Sequence, residues 1–200
     1  MSETFKQLNP YLEKAQAFKT AMNLFEWDNE TCAPSQAGPF TAKVIGTLAS
    51  EYFSVVTDEN VKELVKACKE DSSLTEIEAA IVRELAQEME RLETIPAHEY
   101  REFSELCAEG GSIWSKAKKN KDFELFAPSL AKVIEFQKKF ASYRAKEGQK
   151  IYDVMLDEYE KGFDMEALDQ FFLTLREQLV PFLKKLMDSG VEIDNSFLFG

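Results

Sequence analysis

Apolar positions recur along this chain at a spacing of three or four residues, with charged positions between them. Tyr11, Ala15, Phe18, Met22 and Phe25 trace one face of a helix. Asn9-Pro10 suits its start, because proline in a first turn gives up no helical hydrogen bond. A second helix is predicted from about Phe40 to Val56, with Val44, Leu48 and Tyr52 on one side. Thr57-Asp58-Glu59 then caps a shorter helix carrying Val61, Leu64, Val65 and Cys68, its acidic first turn matched to the helix dipole. Ser73-Leu74-Thr75-Glu76 reads as a capping box. It opens a long helix whose stripe is Ile77, Ile81, Leu85, Met89 and Leu92, ended by Thr94-Ile95-Pro96.

The pattern continues in Tyr100, Phe103, Leu106 and Cys107, then in Ile113, Trp114 and Ala117. Gly110-Gly111 falls between the two runs and predicts a kink or a close helix contact. After the polar link Lys118 to Asp122, a further helix holds Leu130, Val133, Ile134, Phe140 and Ala141 and ends by Gly148. Asp164 caps a last long helix with Leu168, Phe171, Phe172, Leu175, Leu179, Phe182, Leu183 and Leu186, expected to be core. Pro181 should bend it, and Ser189-Gly190 stops it. No stretch alternates with a period of two, and no segment repeats. The predicted fold is all-α, an antiparallel bundle of long helices with short connections, forming one helical region over residues 1–200.

Composition agrees with a packed fold: 44% of residues are hydrophobic, and 16 are phenylalanine. The net charge of -12 disfavours phosphate backbones and anionic lipid surfaces, so neither nucleic acid nor membrane is an expected partner. No apolar run is long enough to span a bilayer, and residues 1–6 lack a signal-peptide pattern. Cys32, Cys68 and Cys107 form no C-x-x-C pair and read as reduced thiols, which points to the cytoplasm.

Candidate chemistry is sparse. His98 is the single histidine. In His98-Glu99-Tyr100-Arg101-Glu102, glutamate stands where a zinc-protease helix needs its second imidazole. His98 with Glu102 is at most a weak two-ligand site, and a surface histidine after Pro96 is the plainer reading. A Cys–His nucleophile pair would need His98 beside one of the three cysteines, and cysteines on helical apolar stripes, as Cys68 and Cys107 are, read as core. The residues of this chain complete no catalytic set and no metal site.

Two stretches carry more. Trp27-Asp28-Asn29-Glu30-Thr31-Cys32-Ala33-Pro34 and Tyr152-Asp153-Val154-Met155-Leu156-Asp157-Glu158-Tyr159-Glu160-Lys161-Gly162 resemble two motifs of the carboxypeptidase Taq family of zinc metallocarboxypeptidases. These are Trp-Asp-x-x-Thr-x-x-Pro and Tyr-Asp-x-Leu-Leu-Asp-x-Tyr-Glu-Pro-Gly. Trp114 with Ala117, Asp122-Phe123, Phe126-Ala127-Pro128 and Leu179-Val180-Pro181 follow in the family's order. Met155 and Lys161 depart from it, and Cys32 and Ala33 stand where members often carry larger residues.

The resemblance covers nearly all of this chain and the N-terminal part of a family member. Its His-Glu-x-x-His helix lies beyond Phe199-Gly200, so this chain is expected to be inactive alone. For the complete enzyme the resemblance implies zinc, a peptide trimmed from its C-terminus, a deep groove and a homodimer. It makes Trp27, Asp28, Thr31, Tyr152, Tyr159 and Glu160 candidates for that groove, and the absent C-terminal part a partner. The plainer reading of the first motif is a helix stop with Trp27 packed and Asp28 or Thr31 as a cap. The plainer reading of the second is a structured connection. A self-contained helical interaction or scaffold module without catalysis is the alternative for the whole chain.

Overall fold

The structure, a computed structural model, describes residues 2–34, 36–191 and 194–199. Its elements are α1 (Glu3–Thr31), α2 (Gly38–Val56), α3 (Glu59–Glu70), α4 (Glu76–Leu92), α5 (Ala97–Asn120), α6 (Ala127–Arg144), α7 (Ile151–Tyr159) and α8 (Met165–Asp188). A short 3-10 turn follows at Ser196–Leu198. Among the described residues there is no strand, and the fold is all-α. The chain divides into two compact units, Met1–Arg144 and Ala145–Gly200.

In the first unit α1 starts earlier than Asn9-Pro10 suggests. Ser2 is the N-cap, its Oγ accepting the Phe5 N–H at 3.1 Å. Pro10 therefore lies inside the helix, where it forfeits one backbone bond at a cost of roughly 3 kcal/mol. Burial of Phe5 and Leu8 offsets this, at about 1.5–3 kcal/mol per large apolar side chain. The Thr4 hydroxyl also donates to the Asp71 carboxylate, which ties the start of α1 to the α3–α4 connection.

The core gathers Phe5, Leu8 and Ala15 of α1, the Tyr52–Val56 end of α2, Val61, Val65 and Cys68 of α3, and Val82, Ala86, Met89 and Leu92 of α4. The α4 stripe departs from the predicted one in its first half, where Ile77 is 73% exposed and Val82 and Ala86 are buried, while Met89 and Leu92 are buried as predicted. Thr75, not Ser73, is the N-cap, and Thr75 with Glu78 forms the capping box, each satisfying the other's backbone N–H.

Helix α2 packs along α1 and α5 through small residues, Gly38, Ala42, Gly46 and Ala49. A Cβ on Gly38 would lie 2.7 Å from Ser112 Oγ, and one on Gly46 would lie 2.1 Å from Glu105 Cγ. Gly38 faces Ser112 and Gly46 faces Glu105, so the two helices run antiparallel. Gly110-Gly111 does not interrupt α5, and no side chain or neighbouring backbone lies within 4 Å of a Cβ added at either. The close helix contact predicted there is made by the glycines of α2 instead. Helix α5 ends on Lys121 at φ 56, a left-handed cap.

Helix α6 is held on α5 by aromatic contacts, Phe103 to Phe140 at 5.2 Å and Phe103 to Phe136 at 5.8 Å between centroids. Beside them the buried Glu99 accepts from Lys139 Nζ at 2.9 Å and from the Tyr143 hydroxyl at 3.0 Å. Lys139 holds that carboxyl below the usual glutamate range.

In the second unit the stretch Ile151–Tyr159 is a helix of its own. The start of α8 agrees with the predicted cap, the Asp164 carboxylate accepting the Ala167 N–H at 2.8 Å. Its expected burial is corrected: no described residue of α8 is buried, and Phe171, Phe172, Leu175, Phe182 and Leu186 are all exposed. A helix with an apolar face gains nothing from that face unless another surface covers it.

Candidate functional site

The first motif is helical, not a loop. Helix α1 continues through Thr31, whose hydroxyl donates to the Trp27 carbonyl at 2.7 Å. The Asp28 carbonyl accepts from both Cys32 and Ala33, at 2.9 and 2.8 Å, and closes the helix. The cap role falls to the Asp28 backbone, not to its carboxylate. Trp27 is 61% exposed and packs as no anchor; Asp28 and Thr31 are also exposed.

Helical periodicity puts the alternate residues of this motif on a different face. Glu26, Asn29 and Glu30 line a cleft of about 450 Å³. Ile45 of α2 and Cys107, Ser112, Trp114 and Ser115 of α5 complete most of its wall. Asn29 Nδ2 donates to Ser112 Oγ at 3.0 Å, which joins α1 to α5 across the cleft. Gly38 permits this, since a side chain there would displace Ser112. Trp27, Asp28 and Thr31 do not line the cleft.

The cleft is electrostatically one-sided. It carries two carboxylates and no lysine or arginine. The last turn of α1 holds no basic residue to answer the dipole. Glu26 and Glu30, at i and i+4, repel each other by about 0.2–0.5 kcal/mol. Each also opposes the negative end of the helix by about 0.3–1 kcal/mol. Desolvation, and then the charge of Glu26, push the Cys107 thiol up to about 11, although part of its surface remains accessible. On its other side Trp114 walls a second hollow of about 340 Å³, with Phe123, Phe126, Lys118 and Lys121. There the Lys118 ammonium lies 4.8 Å from the indole centroid.

The second motif falls in the second unit. Tyr152 is exposed on α7, Tyr159 is 87% exposed at its end, and Glu160 is its exposed C-cap. The aspartates of this motif have structural roles. Asp153 Oδ1 accepts the Met165 N–H at 2.9 Å, at the first residue of α8. Asp157 Oδ1 accepts the Gly162 N–H at 2.8 Å, where φ is 79. With Asp164 they fix the α7–α8 turn without a proline at Lys161.

Among the described residues no three His, Cys, Asp or Glu side chains gather as ligands. His98 is exposed and its nearest carboxylate oxygen is Glu99 Oε1, 3.9 Å away. The donor set of the described residues therefore does not fit a resident metal. Among the described residues no helix is long and apolar enough to cross a membrane.

This fold recurs in solved carboxypeptidases. The crystal structure of BsuCP superposes with a TM-score of 0.89 at 33% identity, over 98% of this chain and 39% of that one. The Pyrococcus furiosus carboxypeptidase in its apo-Mg form gives 0.75 at 29% identity, over 95% of this chain and 38% of that one. In sequence the chain is 34% identical over 194 residues to Carboxypeptidase 1 of Bacillus subtilis (strain 168), covering 96% of this chain and 38% of that protein. The class these matches define is the helical carboxypeptidases, of whose length this chain matches a part. A family model of the carboxypeptidase Taq (M32) metallopeptidases matches residues 7–199, and the chain belongs to that family. It spans 38% of the length of the curated relatives in Bacillus subtilis and Pyrococcus furiosus.

Proposed function

We propose that these 200 residues form one wall of the peptide groove in a zinc-dependent carboxypeptidase that removes amino acids from peptide C-termini. The family match over residues 7–199 carries this reading. The cleft beside the first motif supplies the surface on which a peptide would lie. In this reading zinc is held by residues outside this chain, and this chain alone neither binds it in stoichiometric amount nor hydrolyses peptides. Trp27, Asp28, Thr31, Tyr152, Tyr159 and Glu160 remain candidates for contact with peptide. The apolar face of α8 meets the rest of the same enzyme, and the complete enzyme is a cytoplasmic homodimer. The unpaired cysteines favour that compartment.

A hybrid tests it. These residues replace the matching 38% of Bacillus subtilis Carboxypeptidase 1. A hybrid that unfolds in one transition should bind about one zinc per chain and release C-terminal residues from an N-blocked peptide. The 200-residue chain by itself should do neither. A folded, zinc-loaded hybrid without trimming activity overturns the proposal, as does trimming by the chain alone.

A further inference from the structure

We propose that the cleft between α1, α2 and α5 binds the ammonium or guanidinium end of a lysine or arginine side chain in a peptide. The cavity, about 450 Å³, is of the size that holds one side chain with room for its stem. It offers three chemistries in one place. Glu26 and Glu30 supply two carboxylates one helical turn apart, and neither has an ion-pair partner among the described residues. Asn29 and Ser112, bonded to each other at 3.0 Å, form a fixed polar floor. Trp114 gives an aromatic wall, and its ring already attracts the Lys118 ammonium, at 4.8 Å.

The placement of the carboxylates gives this site its direction. Acid at the C-terminal end of a helix opposes the dipole, and acid at i and i+4 repels itself. The sequence keeps both faults in α1 with no basic residue in the last turn. A cation in the cleft relieves both, and conflicts between local stability and sequence concentrate at sites of function. The Cys107 thiol on the cleft wall is pushed up first by desolvation and then by the charge of Glu26. A metal ion is the poorer occupant, since no third ligand joins the pair among the described residues. That the cation belongs to a peptide rests on the groove reading; that a cation binds rests on the cleft alone.

The indole N–H signals of the two tryptophans provide the test. Trp114 lines the cleft and Trp27 does not, so Trp27 serves as the internal reference. The probes are N-acetyl-arginine amide, its neutral isostere N-acetyl-citrulline amide, and agmatine as a free small amine. The arginine probe should shift the Trp114 signal saturably and leave Trp27 in place. The citrulline probe should bind at least about tenfold more weakly. Glu26→Gln with Glu30→Gln should weaken the arginine probe by at least about tenfold. The variant should keep its helix content and its Tm, because the substitutions remove repulsion.

No binding, equal binding of citrulline, undiminished binding by the folded variant, or joint movement of both tryptophans overturns the site. Agmatine binding about tenfold tighter than blocked arginine overturns the peptide source in favour of a free amine. Because binding is read without catalysis, an inactive hybrid leaves it standing, and a failed titration leaves the hybrid's activity standing.

Discussion

At the scale of single residues, Asp71 shows how one carboxylate can hold a distant helix start. It accepts from the Ser73 hydroxyl at 2.6 Å, from the Ser73 N–H at 2.8 Å and from the Thr4 hydroxyl. These donors, Ser73 first, hold its carboxyl well below the usual aspartate range. The folded pKa thus lies below the unfolded value of about 3.9. The stability it contributes is present above that value and lost as pH falls toward the folded one. Asp71→Asn should lower Tm at neutral pH, and the gap from wild type should close in acid; a constant gap in thermal melts across that range counts against the account. Cys107 gives a second prediction. Its thiol, pushed up to about 11 by desolvation and by Glu26, should alkylate slowly at neutral pH. Glu26→Gln should accelerate that alkylation, followed by mass spectrometry of the labelled peptide. Little of this was legible in sequence. Asp71 reads as a loop acid, and its partner Thr4 is 67 positions away.

At the scale of elements, periodicity located most helices, and capping chemistry marked where several of them start. Asp58, Thr75 and Asp164 are N-caps, each with a side chain accepting from the first turn. In α4 the N-cap is Thr75 rather than Ser73, and the buried stripe enters through Glu78, Val82 and Ala86 before it reaches the predicted Met89 and Leu92. The motif at Trp27 was misjudged for a related reason. Polar residues after an apolar run suggest a stop, but α1 continues, and 3.6-residue periodicity sends Glu26, Asn29 and Glu30 to the cleft while Trp27 stays outside. The glycines separate local from tertiary effects. Gly46→Ala should cost about 1–3 kcal/mol by forcing Glu105 and its Arg101 pairing aside. Gly110→Ala should gain about 0.5–1 kcal/mol, since it meets nothing and alanine favours helix. Denaturant melts of both variants decide this; equal effects would mean that α2 and α5 do not approach so closely.

At the scale of the whole molecule, the exposed apolar face of α8 sets the behaviour in solution. Leu168, Phe171, Phe172, Leu175, Leu179, Phe182, Leu183 and Leu186 repeat at helical spacing, and none is buried. An exposed patch larger than roughly 400 Å² promotes association. The chain should self-associate with rising concentration in sedimentation velocity, and Phe171→Glu with Phe182→Glu should return it to a single small species. A wild-type chain that stays monomeric would show that this face is covered.

Sequence by itself determined that the chain is helical, roughly where most helices lie, which family it belongs to, and which charges it carries. These follow from local spacing, caps and motif order, which act within a few residues. Tertiary structure decided what spacing cannot encode: that α2 glycines admit α5, and that Asn29 meets Ser112 across 83 positions. It also decided that Glu26 and Glu30, unremarkable among 36 acidic residues, face a cleft. It left the face of α8 open, because burial depends on what surface arrives from elsewhere, and no helix carries that information in its own periodicity.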